Sequence, residues 1–142
     1  EYRQLCFREA HVEQALKNAM FNHSLEVYYQ PIISTVSSIP DCAEALVRLI
    51  DPELGFIPPD EFIPIAEKKG LINELELIVL DKICNYLSEH DIRKYGYSHI
   101  DFNLSAIHSI QDNLTSGIMS ILNKYNVSPE LIVLEIVFKS IP

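Results

Sequence analysis

From residue 41 onward the chain alternates β-branched, apolar segments with helical ones, and no two-residue turn joins any of the apolar segments. These segments are 41–50, 98–104 and 131–137. Strands connected through helices cannot form hairpins, so they run parallel, in an open α/β sheet or in a barrel. A parallel sheet is covered on both faces, and its strands should be apolar throughout. Any polar side chain inside them therefore calls for a reason.

Each of the three strands carries one. Glu44 sits in Ala43-Glu44-Ala45-Leu46, Asn103 in Phe102-Asn103-Leu104-Ser105, and Glu135 in Leu134-Glu135-Ile136-Val137. An ionised carboxylate in such surroundings is costly unless it is paired, hydrogen-bonded or bound to a metal. Asn103 and Glu135 are separated by roughly one βαβ repeat of about 30 residues. Glu44 and Asn103 are about one repeat plus an extra helix apart. Two carboxylates and an amide carbonyl from neighbouring strands make a hard oxygen site suited to Mg²⁺ or Mn²⁺. The competing reading for each residue alone is an exposed edge position or an ordinary ion pair.

The remaining segments read as follows. Residues 1–22 form a helix without Gly or Pro, with Cys6, Ala10, Ala15, Leu16, Ala19 and Met20 at helical spacing. Residues 25–34 form a strand rich in Val27, Tyr28, Tyr29, Ile32 and Ile33, ended by a Ser/Thr turn. Residues 51–59 are loop, marked by Pro52, Gly55, Pro58 and Pro59. A short helix runs from Pro59 towards Lys69, with Asp60 and Glu61 at its positive end and Gly70 as its stop. Pro64 should bend or divide it. A longer helix opens at Asn73 with Glu76 as capping-box partner, and buries Leu77, Leu80, Ile83, Cys84 and Leu87. Residues 107–125 are mostly helical, with an interruption near Gln111–Asn113.

Composition narrows the function. The 142 residues carry 11 basic and 20 acidic side chains, a formal charge of −9, which offers no electrostatic footprint for DNA or RNA. Cys6, Cys42 and Cys84 form no CxxC motif or Cys/His cluster in sequence, so neither zinc nor a disulfide framework is indicated. They read as reduced, mostly buried thiols of a cytoplasmic protein. There is no membrane-spanning run and no signal peptide. The first residue is Glu1, which reads as a piece of something longer.

Six motifs occur together: Tyr29-Gln30-Pro31-Ile32, Glu44-Ala45-Leu46-Val47-Arg48, Pro52-x-x-Gly55-x-Ile57-x-Pro59, Phe62-Ile63-Pro64-Ile65-Ala66-Glu67, Asn103-Leu104-Ser105 and Leu134-Glu135-Ile136. In order and approximate spacing this series resembles the EAL domain, the cyclic di-GMP phosphodiesterase family. The resemblance implies an α/β fold, the N-terminal half of a modified (β/α)8 TIM-like barrel with a leading helix and about four strands. Residues 1–22 would lead in from an upstream signalling region and 23–142 would be an incomplete EAL domain. It further implies metal ligation by Glu44, Asn103 and Glu135 with Mg²⁺ or Mn²⁺. Arg48 would meet a phosphate of cyclic di-GMP, and Gln30 and Leu46 would line the nucleotide pocket. The Phe62–Glu67 stretch is packing, and His108, near the mouth, is solvated.

The sequence departs from the family in two places. Phe138 stands where the family has the second glutamate of Leu-Glu-Ile-Thr-Glu. The distal Asp-Asp segment and later lysine are absent, and a closed barrel takes roughly 250 residues. No complete catalytic set is therefore expected in this chain, which should be inactive alone, since such groups act as a unit. Unpaired strands should promote self-association or pairing with the missing C-terminal half. A degenerate EAL domain that senses cyclic di-GMP or holds a protein partner is the alternative to an enzyme.

Overall fold

The computed structural model describes residues 1–109 and 113–138, with the side chains of His108 and Ser109 outside the described set. The leading helix α1 (Tyr2–Phe21) buries only its second half, through Val12, Ala15, Leu16, Ala19 and Met20. That spacing puts one stripe on the core. Its first two turns leave Tyr2, Leu5 and Phe7 exposed. Cys6 lies on the same outward surface, contrary to the expectation of a buried thiol, whereas Cys84 is buried and Cys42 half-buried.

Strands β1 (Glu26–Ile33) and β2 (Pro40–Asp51) pair antiparallel, from Glu26↔Arg48 to Ile33↔Pro40. The Ser/Thr turn reverses the chain between them, with Ser34 Oγ accepting from the backbone N–H groups of Val36 and Ser37. The stretch read as loop after Asp51 contains a third strand, β3 (Gly55–Ile57), hairpinned onto the end of β2. Asp51 supplies the turn: its Oδ1 accepts from both Glu53 and Leu54 N–H at 2.9 Å. Gly55 takes the positive φ of 72° that this tight reversal needs. Proline and glycine frequency hid a strand of three residues.

Helix α2 (Pro59–Lys68) opens on Pro59 with Asp60 and Glu61 in its first turn. It continues through Pro64 as one element, so the expected division does not occur. Helix α3 (Ile72–Glu89) begins one residue before Asn73, with Leu71 at the cap and no side-chain cap bond. The N-cap is thus Leu71 and not Asn73; Glu76 is buried at 6% exposure and accepts from the backbone N–H of Ser105. Leu77, expected in the core, is half-buried.

Strand β4 (His99–Ser105) runs parallel to β2, in register from Cys42↔His99 to Ala45↔Phe102. The short α4 (Ala106–Ser109) and α5 (Leu114–Tyr125) follow. Of the expected interruption, Gln111 and Asp112 lie outside the described residues, and Asn113 caps α5. Strand β5 (Ile132–Val137) then pairs parallel with β4, from Ile100↔Ile132 to Ser105↔Val137. The sheet order is β1-β2-β4-β5, with β3 attached to β2. The three helix-linked strands are thus parallel, as their connections require.

One face of this sheet is covered. Ala45, Leu49, Ile100, Phe102 and Leu104 point into a core shared with α1, α2 and α3, where Leu16, Phe62 and Ile83 are fully buried; Ala43 is buried as well. Burying a side chain of that size stabilises the fold by about 1.5–3 kcal/mol. Because side chains alternate across a strand, the intervening residues form a second face on the other side. Among the described residues, no helix is long and apolar enough to cross a membrane.

Candidate functional site

The second face gathers the residues singled out in the sequence. Along β2 it presents Cys42, Glu44, Leu46 and Arg48; along β4, His99, Asp101, Asn103 and Ser105. Register extends it outward: Gln30 lies opposite Glu44, and Glu135 opposite Asn103. Gln30, Glu44, Leu46, Arg48, Asn103 and Glu135 consequently share one surface of the sheet. A pattern of period two in each strand suffices to achieve this once the registers are fixed.

Direct contact joins two of them. Asn103 Nδ2 donates to Glu44 Oε1 at 2.7 Å. This bond bridges neighbouring parallel strands and orients the amide so that its carbonyl oxygen remains available. Glu44 and Asn103 are half-buried, and Glu135 is exposed on the edge strand. Two carboxylates and an amide oxygen are hard donors that fit a divalent cation such as Mg²⁺ or Mn²⁺. Glu44 is thereby hydrogen-bonded rather than isolated, which answers part of its burial cost.

Arg48 is not directed at Glu44. Its Nη1 donates to the carbonyl of Val47 at 3.1 Å, and the guanidinium lies 5.5 Å from the Tyr28 ring centroid. It is thus parked at the β1 edge in a cation–π contact, with donors of its fork left for a ligand. Leu46 is half-buried and lines a largely apolar cleft of about 420 Å³ at the C-terminal ends of β2 and β4. Asn103, Ser105, Glu67 and Pro64 share that cleft.

Two carboxylates anchor the end of β4 from beneath. Glu76 accepts from Ser105 N–H, and Glu67 accepts from Ser105 Oγ at 3.2 Å. Ser105 Oγ in turn accepts from Ile107 N–H, at the turn into α4. The Phe62–Glu67 stretch does pack, through fully buried Phe62 and Ala66, but its last residue also steadies the strand that carries Asn103. Sequence reasoning missed Glu67, Glu76 and Ser105 because their partners lie 29 and 38 positions away. Asp101 was also missed, although its place two residues before Asn103 puts it on the same face. The His108 side chain falls outside the described residues.

At the other end of this face stand Cys42, His99 and Asp101. Burial pushes the Cys42 thiol above its usual range, and the nearby Asp101 and Asp41 carboxylates push it further.

Comparison with known proteins agrees with this architecture. An EAL domain family model matches residues 13–141. Signaling protein YkoW of Bacillus subtilis is 33% identical over 124 residues, which are 87% of this chain and 15% of that protein. The probable cyclic di-GMP phosphodiesterase PdeB of Escherichia coli is 30% identical over 121 residues, 85% of this chain and 23% of PdeB. Among solved structures, the Pseudomonas aeruginosa FimX EAL domain bound to c-di-GMP superposes with a TM-score of 0.75 at 26% identity. That match covers 88% of this chain and 49% of the FimX chain. The MucR phosphodiesterase in its c-di-GMP complex gives a TM-score of 0.79 at 29% identity, covering 87% of this chain and 50% of that one. The chain spans about half of these solved domains and less than a quarter of the two curated relatives. It belongs to the EAL domain family, and its fold is the corresponding part of that family's TIM-like barrel.

Proposed function

We propose that this chain supplies the cation- and nucleotide-binding side of a cyclic di-GMP phosphodiesterase site. The observation that carries the reading is the Asn103–Glu44 bond of 2.7 Å, with Glu135 in register beside Asn103. Three oxygen-bearing side chains thus share one face of neighbouring parallel strands, and (β/α)8 barrels build their active sites at the C-terminal ends of such strands. Glu44, Asn103 and Glu135 would hold Mg²⁺ or Mn²⁺. Such a cation, when bound, polarises a phosphoryl oxygen and lowers the pKa of water.

The protein's own groups account for the rest. Arg48 offers a guanidinium fork to a phosphate, and leaving the Tyr28 ring for it is inexpensive at an exposed edge. Leu46 gives the cleft an apolar wall, and Gln30 offers an amide at its rim. Glu67 and Glu76 keep Ser105, and with it Asn103, at a fixed height in the sheet. The sequence relatives include phosphodiesterases by name, and the solved relatives include chains bound to the dinucleotide.

Calorimetric titration with cyclic di-GMP in the presence of Mn²⁺ tests the proposal. Arg48→Ala should weaken binding by about tenfold or more, the worth of one charge-assisted hydrogen bond. Glu44→Gln should abolish the dependence on Mn²⁺. Equal affinity in all three proteins would overturn the assignment. Hydrolysis to the linear dinucleotide should be undetectable with the 142-residue chain alone, since it spans half of the related barrels. Binding without turnover also describes a sensor. Phe138, 77% exposed just beyond β5 in place of a family glutamate, favours that second reading. Turnover restored by Phe138→Glu in a longer chain would decide for the enzyme.

We also propose that the edge strands promote association. Val133, Leu134, Ile136 and Val137 are exposed along β5, and Phe138 just beyond it. Exposed apolar strands with unpaired backbone recruit further strands. Light scattering across micromolar concentrations should find a dimer or larger species; a persistent monomer would refute this.

A further inference from the structure

At the N-terminal end of the same face lies a cluster that the sequence conceals. Cys42 and His99 are register partners at the start of β2 and β4, and Asp101 follows His99 on the same side of its strand. A sulfur, an imidazole nitrogen and a carboxylate oxygen from these residues lie within 4.8 Å of one another. The three are partly or fully withdrawn from water, His99 and Asp101 side chains being 29% and 11% exposed.

The ring is contacted at both nitrogens. Ser98 Oγ lies within hydrogen-bond distance of both the Asp41 carbonyl, at 3.0 Å, and His99 Nδ1, at 2.8 Å. His99 Nε2 lies 3.1 Å from Asp101 Oδ1, where either a ring proton or a metal ion can sit between them. A hydrogen bond at the far ring nitrogen is a common way of orienting a metal-binding imidazole.

The thiol beside them argues for the metal. A proton shared between His99 and Asp101 needs no third donor, whereas a sulfur, nitrogen and oxygen set suits a borderline-soft ion with an open fourth position for water. We propose that Cys42, His99 and Asp101 form a Zn²⁺ site, separate from the hard oxygen site of Glu44, Asn103 and Glu135. Donor chemistry sorts the two cations: thiolate and imidazole select zinc, while carboxylate and amide oxygens select Mg²⁺ or Mn²⁺. Binding displaces the thiol proton to solvent, so affinity rises with pH. This assignment does not depend on the phosphodiesterase reading.

Co²⁺ serves as the spectroscopic probe. Adding it to the metal-free 142-residue chain should produce, at one equivalent, a near-ultraviolet sulfur-to-cobalt charge-transfer band and tetrahedral visible bands. Zn²⁺ should bleach them, and excess Mg²⁺ should not. Cys42→Ala should lose the charge-transfer band, His99→Ala should weaken binding by tenfold or more, and Cys6→Ala should leave the spectrum unchanged. Far-ultraviolet circular dichroism establishes that each variant is folded. Absence of the band in the folded wild type, its persistence in Cys42→Ala, or its loss in Cys6→Ala would each overturn the proposal. A bare His99–Asp101 ion pair gives the first of these results.

Discussion

The two faces of one sheet differ more than any two elements of this protein. Along β2, Ala43, Ala45 and Leu49 are buried beneath helices, while Cys42, Glu44, Leu46 and Arg48, one position away, are half-buried. The first set is apolar, and Ala45 and Leu49 belong to the core cluster that includes Leu16, Phe62 and Ile83. The second set carries thiol, carboxylate and guanidinium groups, and its Glu44 carboxylate is bonded across to Asn103 of the neighbouring strand. Covering one face supplies the stability that lets the other hold polar groups in positions their burial alone would penalise. A strand can serve both purposes because its side chains alternate.

Truncations on the two faces should separate most widely. Phe62→Ala, on the covered side, removes a fully buried ring and should cost about 3–5 kcal/mol. Leu46→Ala, on the open side, should cost roughly 1 kcal/mol, in keeping with partial burial. Urea melts of both variants check this; equal losses would mean that the open face is also part of the core.

The carboxylates that join the faces come next. Glu76→Ala leaves the Ser105 N–H without its buried acceptor and should cost about 1–3 kcal/mol. It should also loosen Mn²⁺ binding, because Asn103 lies on the strand that Glu76 tethers. A variant that loses stability but keeps full cation affinity would show that the two faces are energetically independent.

A smaller effect tests the covered face alone. Burial pushes the Cys84 thiol up to about 12 from its ordinary 9.0 and also raises the Tyr29 phenol, which is stacked on Tyr86. Below pH 9 folded and unfolded thiols are both protonated, and Cys84 contributes no pH dependence. Between about 9 and 12 the unfolded thiol ionises while the folded one does not, so stability falls as pH rises. The melting temperature should decline through that window, less steeply in Cys84→Ala. Alkylation at neutral pH should modify exposed Cys6 long before Cys84.

Much of this was legible in advance, and the failures share a cause. Residues 1–22, with helical spacing and no breakers, gave a helix of nearly the expected bounds, and the helix-linked strands came out parallel. β3 was missed because a three-residue strand has too few side chains to show alternation, and its flanking Pro and Gly read as loop. Glu76 was assigned to a local capping box because three-residue spacing is visible in sequence, while its bond to Ser105 is not. The residues proposed as oxygen ligands stood out because each interrupts an apolar run.

What the sequence determined, then, is what depends on near neighbours: the elements, their apolar stripes, the parallel sense of the helix-linked strands, and the polar residues that violate a strand's hydrophobic pattern. Only the tertiary structure decided the registers, and registers choose partners. They set Asn103 against Glu44 and Glu135, and brought Cys42 to His99 across more than fifty residues of intervening chain. Such pairings arise when helices close over one face and fix how far each strand slides, because a shift of one residue would turn every core side chain into water.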